Sequence, residues 1–149
     1  PKSMLRSPAA VSSMSDFMEG TRFQETIGDS YVEPKKVKRV LLCTGKLYWE
    51  LLDKQQKDGR KDVAIIRVEQ LHPFPKKQIE AYLAQYKKAD VIWVQEEPEN
   101  MGYWSYILRE FPEIGLGKVI ARKASASPAT GYMKVHAKEQ TELIEQAFS

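Results

Sequence analysis

Short apolar runs alternate with segments of helical spacing along most of this chain, and this alternation limits the fold more than any other feature of the sequence. The runs cover residues 40–43, 63–68 and 90–94, and a fourth strand is predicted at residues 118–122. Because each run is apolar along its length rather than alternately polar and apolar, both faces of its strand should be buried. The pattern therefore predicts central strands covered on two sides.

Segments with the spacing of amphipathic helices separate these runs. Each right-handed crossover between parallel strands places its helix on one face of the sheet. We therefore predict the α/β class, as a three-layer α/β/α sandwich with a mostly parallel sheet. The helix residues predicted to face the core are Leu47, Leu51, Ile79, Tyr82, Leu83, Tyr86, Trp104, Ile107, Leu108, Phe111 and, in a closing helix from His136, Gln140, Leu143, Ile144, Ala147 and Phe148.

Residues 1–36 lack a sustained helical period and are interrupted by Ser-Pro and Glu-Gly pairs. We predict an extended connector there, with an edge strand at residues 22–27, followed by a carboxyl-terminal α/β domain over residues 37–149. A structureless segment of this length is uncommon inside an independent domain. Since the chain opens on Pro1 rather than methionine, we expect an upstream catalytic domain to precede the connector.

The composition excludes several classes of protein. With 23 basic and 20 acidic residues the net charge is only +3 and the charges are interspersed, so no nucleic acid partner is expected. No apolar run approaches the roughly 20 residues that cross a bilayer, so no membrane partner is expected either. The single cysteine, Cys43, favours a reducing compartment, either a bacterial cytoplasm or a mitochondrial matrix, and within a buried strand its thiol should be inert.

Loops that follow the carboxyl ends of parallel strands are where ligands usually bind. The first, Thr44-Gly45-Lys46, could offer backbone N–H groups to a phosphate, but it lacks a glycine-rich phosphate motif. A helix start capped by Thr44 is the favoured interpretation. For His72 and His136 we predict no catalytic role, because no nucleophile stands at a suitable spacing.

Three carboxylates lie in the next of these loops, residues 95–102. Neighbouring acids could share acid–base work or hold a cation. Successive side chains of an extended chain point in opposite directions, however, so one shared site is not expected. We predict instead an interface or channel loop formed by Gln95, Glu96, Glu97 and Asn100.

The last loop, residues 122–134, combines cations, hydroxyls and a glycine-containing bend. A surface connection whose cations are merely solvated is one interpretation. The other is an anion site, in which the planar guanidinium of Arg122 is the best candidate to bind a phosphorylated ligand. The candidate residues are Arg122, Lys123, Ser125, Ser127 and Lys134.

Five motifs in a fixed order carry a family resemblance. They are P-K-S-M-L-R-S-P-A-A at residues 1–10, C-T-G-K at 43–46, R-V-E-Q-L-H-P-F-P at 67–75, Q-E-E-P-E-N-M-G at 95–102 and R-x-x-S-A-S-P-A-T-G-Y at 122–132. Together they resemble the carboxyl-terminal region of the decarboxylating, thiamin-diphosphate-dependent component of 2-oxoglutarate dehydrogenases, over nearly the whole chain. The resemblance implies a fold like the C-terminal domain of transketolase.

The resemblance also implies a homodimeric enzyme of the tricarboxylic acid cycle. In it, thiamin diphosphate and magnesium decarboxylate 2-oxoglutarate, and the succinyl unit passes to the lipoyl group of a succinyltransferase component. The G-D-G motif and downstream Asn by which that family holds cofactor and metal are missing here, since Gly28-Asp29 is followed by Ser30. We therefore expect no catalytic, cofactor-binding or metal-binding residue in this chain, which should be inactive alone.

By the same resemblance, the expected role of this domain is structural and regulatory. It would complete the homodimer, pack on the upstream domains of its parent chain and line the approach of the lipoyl arm. Some relatives bind acetyl-CoA as an activator near this domain, which makes the loop at residues 122–134 a candidate acyl-CoA effector site. Two alternatives stay open: a stand-alone α/β binding module, and the same domain of a pyruvate- or transketolase-type enzyme.

Overall fold

The computed structural model describes residues 4–114 and 118–149. Its strands are β1 (Thr26–Ile27), β2 (Arg39–Cys43), β3 (Val63–Val68), β4 (Asp90–Pro98) and β5 (Val119–Arg122). Its α-helices are α1 (Leu47–Lys57), α2 (Lys76–Leu83), α3 (Trp104–Glu110) and α4 (Met133–Phe148), with short 3-10 helices at Met4–Arg6, Met14–Phe17, Pro34–Lys36 and Pro112–Ile114. The strands form one sheet in the order β1-β3-β2-β4-β5.

The central strands run parallel, as predicted. β2 pairs in parallel with β3 and with β4, and β4 pairs in parallel with β5. Only the short β1 is antiparallel to its neighbour β3 among the strands that the structure describes. The carboxyl ends of β2 to β5 therefore meet at one edge of the sheet, where the candidate loops at residues 44–46, 95–102 and 122–134 lie.

Two apolar cores lie on opposite faces of the sheet, because successive strand residues alternate in direction. Leu42 and Trp93 belong to the core that includes residues of α2 and α3. Leu41 and Val94 belong to the core that includes residues of α1 and α4. All four are fully buried, and burying each such side chain stabilises the fold by roughly 1.5–3 kcal/mol. The predicted three-layer α/β/α sandwich is confirmed.

β4 is longer than its apolar run. The run ends at Val94, but the strand continues to Pro98. Its register against β5 is irregular there, with Val94 opposite Ile120 and Pro98 opposite Arg122. The first half of the predicted loop at residues 95–102 is therefore strand. Polar composition indicated a loop, but these residues find partners within the fold.

Three predictions about the helices were wrong. α4 begins at Met133 rather than at His136. The sequence pattern missed the first turn because its side chains are exposed and form no core-facing apolar stripe. Leu108 is 38% exposed, because the short helix α3 turns only a narrow face towards the core. The N-cap of α1 is Lys46, without a capping side chain, so Thr44 does not cap this helix.

The packed domain begins before residue 37. β1 is shorter than the strand predicted at residues 22–27, but it pairs with the outer edge of β3. Behind it, the Asp29 carboxylate accepts hydrogen bonds from the backbone N–H of Ile65 (2.8 Å) and from Nε2 of the fully buried Gln55 (2.7 Å). The boundary predicted at residue 37 thus lies inside packed structure. The sequence did not indicate this packing, because polar contacts of this kind leave no apolar pattern.

The chain upstream of β1 carries many exposed apolar side chains. They are Leu5, Val11, Met14, Phe17, Met18 and Phe23, each at least 64% exposed. Six large apolar side chains this exposed within a short segment are more than scattered single residues would give, and such surface commonly marks an interaction site. Within residues 4–114 and 118–149, no helix has the length and apolar character needed to cross a membrane.

Candidate functional site

The carboxyl ends of β4 and β5 bring together the two loops that the sequence indicated. The backbone N–H of Glu99 donates to the carbonyl of Arg122 (2.9 Å). One residue further on, the amide side chain of Asn100 exchanges two hydrogen bonds with the backbone of Ser125, at 3.0 and 3.1 Å. The polar end of β4 and residues 123–131, here called the serine loop, therefore form one continuous surface.

Gln95 lies beneath this surface and is only 3% exposed. Its Oε1 accepts hydrogen bonds from Trp93 Nε1 (3.0 Å) and from the backbone N–H of Trp104 (3.1 Å). Its Nε2 donates to the carbonyls of Pro98 (3.0 Å) and Met101 (2.8 Å). In contrast to the interface role predicted for it, Gln95 joins β4, the following turn and α3 from inside.

Glu96 and Glu97 face different surroundings, in accord with the alternation of an extended strand. Glu96 forms an ion pair with Lys46, whose Nζ also lies 3.6 Å from Glu50 Oε1. Glu97 is exposed. Since Glu96 neutralises Lys46, the turn before α1 does not offer a free cation to a phosphate.

An open pocket of about 400 Å³ lies between the serine loop and the end of β5. The residues around it include Arg122, Lys123, Ser125, Ser127, Thr130 and Glu139. Four of the five predicted anion-site residues therefore come together at one pocket. The fifth, Lys134, does not line it and is exposed in the first turn of α4.

Arg122 stands at the base of this pocket and is only 8% exposed. Its Nη2 donates to Gln140 Oε1 (2.8 Å), while its buried Nε has no hydrogen-bond partner among the described residues. The nearest carboxylate oxygen to Nε, Glu139 Oε2, is 3.8 Å away and already accepts from Thr130 Oγ1 (2.5 Å). Glu139 thus forms an ion pair with Arg122 but leaves Nε without a hydrogen bond. A buried donor without a hydrogen bond is costly, so an acceptor that took the place of the Glu139 carboxylate beside Nε would be favoured there.

The serine loop holds its own shape in part through hydroxyl groups. Ser125 Oγ accepts from the backbone N–H of Ser127 (3.1 Å), and Ser127 Oγ donates to the carbonyl of Ala129 (2.9 Å). The Ser127 proton is therefore used within the loop. The Ser125 hydroxyl is an acceptor in its loop contact, so its own proton can still be donated to another group.

Polar contacts continue from the pocket to the turn before α1. Gln140, on α4, accepts from Arg122 and donates to Glu50 Oε2 (2.9 Å), and Glu50 in turn faces Lys46. Gln140 was predicted only as a member of the core-facing stripe of the last helix. No signal in the sequence indicated that this side chain connects two of the candidate loops.

The remaining reactive side chains lie outside this pocket. Cys43 is fully buried, and burial raises the pKa of its thiol to about 12, so the thiol stays protonated at neutral pH. His72 Nδ1 lies 2.9 Å from the hydroxyl of Tyr106. His136 lies on α4 beside a groove between α1 and α4.

The side chains that the structure describes do not fit a magnesium–diphosphate site. Among residues 4–114 and 118–149, no three His, Cys, Asp or Glu side chains stand close enough to hold a metal ion. Asp29, which follows Gly28 as in the family motif, uses its carboxylate on Tyr31, Gln55 and Ile65. No step of cofactor chemistry can be derived from these side chains.

Comparison with known protein families identifies the chain. A family model described as 2-oxoglutarate dehydrogenase C-terminal matches residues 11–148. The chain belongs to this family. The family resemblance inferred from the five motifs is therefore confirmed, and the serine-loop pocket is a feature of an oxoglutarate dehydrogenase C-terminal domain.

Curated relatives of this oxoglutarate dehydrogenase domain are much longer proteins. It is 47% identical to the 2-oxoglutarate dehydrogenase E1 component of Haemophilus influenzae, covering 100% of this chain and 16% of that protein. It is also 47% identical to the 2-oxoglutarate dehydrogenase E1/E2 component of Corynebacterium glutamicum, covering 99% of this chain and 13% of that protein. The chain thus corresponds to a small part of each relative.

A solved structure shows the same fold without close sequence similarity. A chain described as split gene transketolase, inactive beta4 tetramer, superposes with a TM-score of 0.56 at 11% identity. The match covers 88% of the oxoglutarate dehydrogenase domain and 44% of the transketolase chain. The transketolase-like architecture predicted from the resemblance is confirmed as a fold.

Proposed function

We propose that this domain serves a thiamin-diphosphate- and magnesium-dependent enzyme that decarboxylates 2-oxoglutarate and transfers the succinyl unit to a lipoyl group. The observation that carries the proposal is the 47% identity to an E1 component across the whole chain. Because the residues here do not fit the cofactor, the chemistry belongs to other parts of the protein. The domain itself acts as a non-catalytic support.

The proposed partners are the upstream domains of the same protein, a second copy in a homodimer, and the lipoyl-bearing succinyltransferase component. Support comes from the exposed apolar side chains upstream of β1, which an isolated domain would leave in water. The E1/E2 name of the Corynebacterium glutamicum relative supports a multienzyme assembly. Glu96, Glu97 and Asn100 remain our candidates for the interface or channel. The proposed compartment is a bacterial cytoplasm or a mitochondrial matrix.

The activity is tested on the full-length protein with an artificial electron acceptor. We expect acceptor reduction that requires 2-oxoglutarate, thiamin diphosphate and magnesium, and no activity from the 149-residue chain alone. Pyruvate is the matched control substrate, because a pyruvate-type enzyme would share this architecture. Turnover of pyruvate in preference to 2-oxoglutarate would contradict the assignment.

A second function, anion binding at the serine-loop pocket, is favoured by the buried Nε of Arg122. We infer that Arg122, Lys123 and Ser125 bind a phosphate group of an acyl-CoA effector such as acetyl-CoA. Arg122 would supply a planar donor at the base, Lys123 a mobile charge at the rim and Ser125 a hydroxyl. Such an effector changes activity only if its affinity differs between two conformations of the enzyme.

Replacing Lys123 by alanine should weaken acetyl-CoA binding roughly three- to tenfold, because a charge-assisted contact is lost at an exposed rim. Calorimetric titration of the full-length protein measures this change. Lys134→Ala is the matched control, since it removes the same charge from the first turn of α4, outside the pocket, and it should change the affinity less than about twofold. Equal effects of the two variants would mean diffuse attraction only and would refute a site at this pocket.

A further inference from the structure

The serine loop is attached to the end of β4 by one side chain, Asn100. Asn100 Nδ2 donates to the Ser125 carbonyl (3.0 Å), and the Ser125 N–H donates to Asn100 Oδ1 (3.1 Å). A primary amide carries a donor and an acceptor side by side, so this pair reproduces the exchange between two strand residues. Few other side chains could replace it, because both bonds require a donor and an acceptor in fixed positions.

The position of this pair gives it a consequence for the pocket. Ser125 lies at the rim, and the contacts that the loop makes through Ser127 Oγ and Ser125 Oγ are local to the loop. The neighbouring backbone bond from Glu99 to Arg122 anchors only the start of the loop. Asn100 therefore ties the loop at Ser125 to the turn after β4, whereas Thr130 Oγ1 ties its far end to Glu139 on α4.

We propose that Asn100 is a positioning residue that holds the serine loop in its anion-binding form. The proposal rests on the anion-binding function proposed above for the same pocket, and it adds a residue that helps to set the shape of the pocket. A loop that is ordered before binding does not have to be ordered by the ligand, so the apparent affinity rises with the fraction of loops in the competent form. The turn after β4 thereby contributes to binding at the pocket through Asn100, which does not touch the anion.

Two variants separate the hydrogen bonds from the mere presence of a side chain. Asn100→Ala removes both bonds and adds no charge. Asn100→Asp keeps the acceptor for the Ser125 N–H but, when ionised, directs a second carboxylate oxygen at the Ser125 carbonyl. Only its protonated form, populated as the pH falls towards about 4, can restore the donor. Glu99→Ala is the matched control, because it truncates the adjacent side chain and leaves the Asn100 bonds in place.

Hydrogen–deuterium exchange of residues 123–131 in the full-length protein tests this assignment without any ligand. We expect Asn100→Ala to exchange roughly three- to tenfold faster than the wild type at every pH, and Glu99→Ala to match the wild type. Asn100→Asp should exchange faster than the wild type at pH 7 and approach it near pH 4. Equal behaviour of the Asp and Ala variants across this pH range would overturn the positioning role, since a side chain that merely fills space would show no such recovery.

Calorimetry with acetyl-CoA at neutral pH then tests the consequence for binding. We expect Asn100→Ala to weaken acetyl-CoA roughly three- to tenfold and Glu99→Ala to leave it within about twofold. Tight binding by the wild type and by Asn100→Ala alike would overturn the positioning proposal alone. Absence of binding by the wild type, with loop exchange still dependent on Asn100, would instead refute the proposed anion function.

Discussion

Replacing Gln95 by alanine should lower the free energy of unfolding by about 3–5 kcal/mol, because several buried polar groups lose their partners together. Trp93 Nε1 and the Trp104 N–H would lose their acceptor, and the Met101 carbonyl would lose its donor. The Pro98 carbonyl would keep only the Met101 N–H (2.8 Å) of its two donors. Each such group costs about 1–3 kcal/mol when buried without a partner, although water entering the space offsets part of the sum. Urea unfolding followed by tryptophan fluorescence measures the change.

Gln95→Glu gives the same site a pH dependence. The carboxyl group keeps the acceptor but, when ionised, faces two carbonyl oxygens, which raises its pKa in the folded protein. A raised pKa means that the folded state binds the proton more tightly. The variant should therefore lose stability as the pH rises above the unfolded value of ~4.3. Glu97→Ala, at an exposed position of the same strand, should change stability by less than about 0.5 kcal/mol. Equal losses at both positions would contradict an internal role for Gln95.

Replacing Asp29 by alanine should destabilise the protein by about 2–4 kcal/mol, because its carboxylate gathers three donors. These are the backbone N–H groups of Tyr31 (2.7 Å) and Ile65 (2.8 Å) and the side-chain amide of Gln55 (2.7 Å). Gln55 is fully buried and also donates to the carbonyl of Val63 (2.8 Å). Losing Asp29 would therefore free the segment before β2 and leave one N–H of the buried Gln55 amide without a partner.

A double-mutant cycle with Gln55→Leu isolates that contact. We expect the two substitutions to be non-additive by about 1–2 kcal/mol, since each removes the same hydrogen bond. Asp53→Ala is the matched control, because Asp53 forms only an exposed ion pair with Lys57 and should matter by about 0.5 kcal/mol or less. Additive losses at Asp29 and Gln55, measured by urea unfolding, would show that the two side chains act separately.

The sandwich could be predicted from the sequence because its central strands are buried on both faces. Apolar runs such as residues 63–68 have few other stable arrangements, and the helical segments between them fix the parallel connections. The ends of the elements were harder to predict. β4 continues through polar residues because pairing with β5 and hydrogen bonds from the Gln95 side chain satisfy its backbone, and α4 starts in an exposed turn. Neither cause is visible in hydrophobic periodicity.

Some features of the candidate site could likewise be predicted from the sequence, and others could not. The cations and hydroxyls of the serine loop are adjacent in the sequence, so their meeting at one pocket could be predicted. The contributions of Glu139, Gln140 and Asn100 could not be predicted, because these residues come from α4 and from the turn after β4, which are distant from the serine loop in the sequence or separated from it by β5. Lys134 was grouped with the site by proximity in sequence, but α4 begins at Met133, and Lys134 does not line the pocket.

The two residues of β1 and the carboxylate of Asp29 together occupy the outer edge of β3. An uncovered, apolar strand edge is a template for pairing with strands of other molecules, which is how many β-rich proteins aggregate. β3 has the sequence Val-Ala-Ile-Ile-Arg-Val, which has high β propensity and little charge. By occupying the hydrogen-bonding groups of this edge, residues 26–29 therefore disfavour its pairing with a strand of another molecule. A chain trimmed to the regular βα pattern alone would lose that protection.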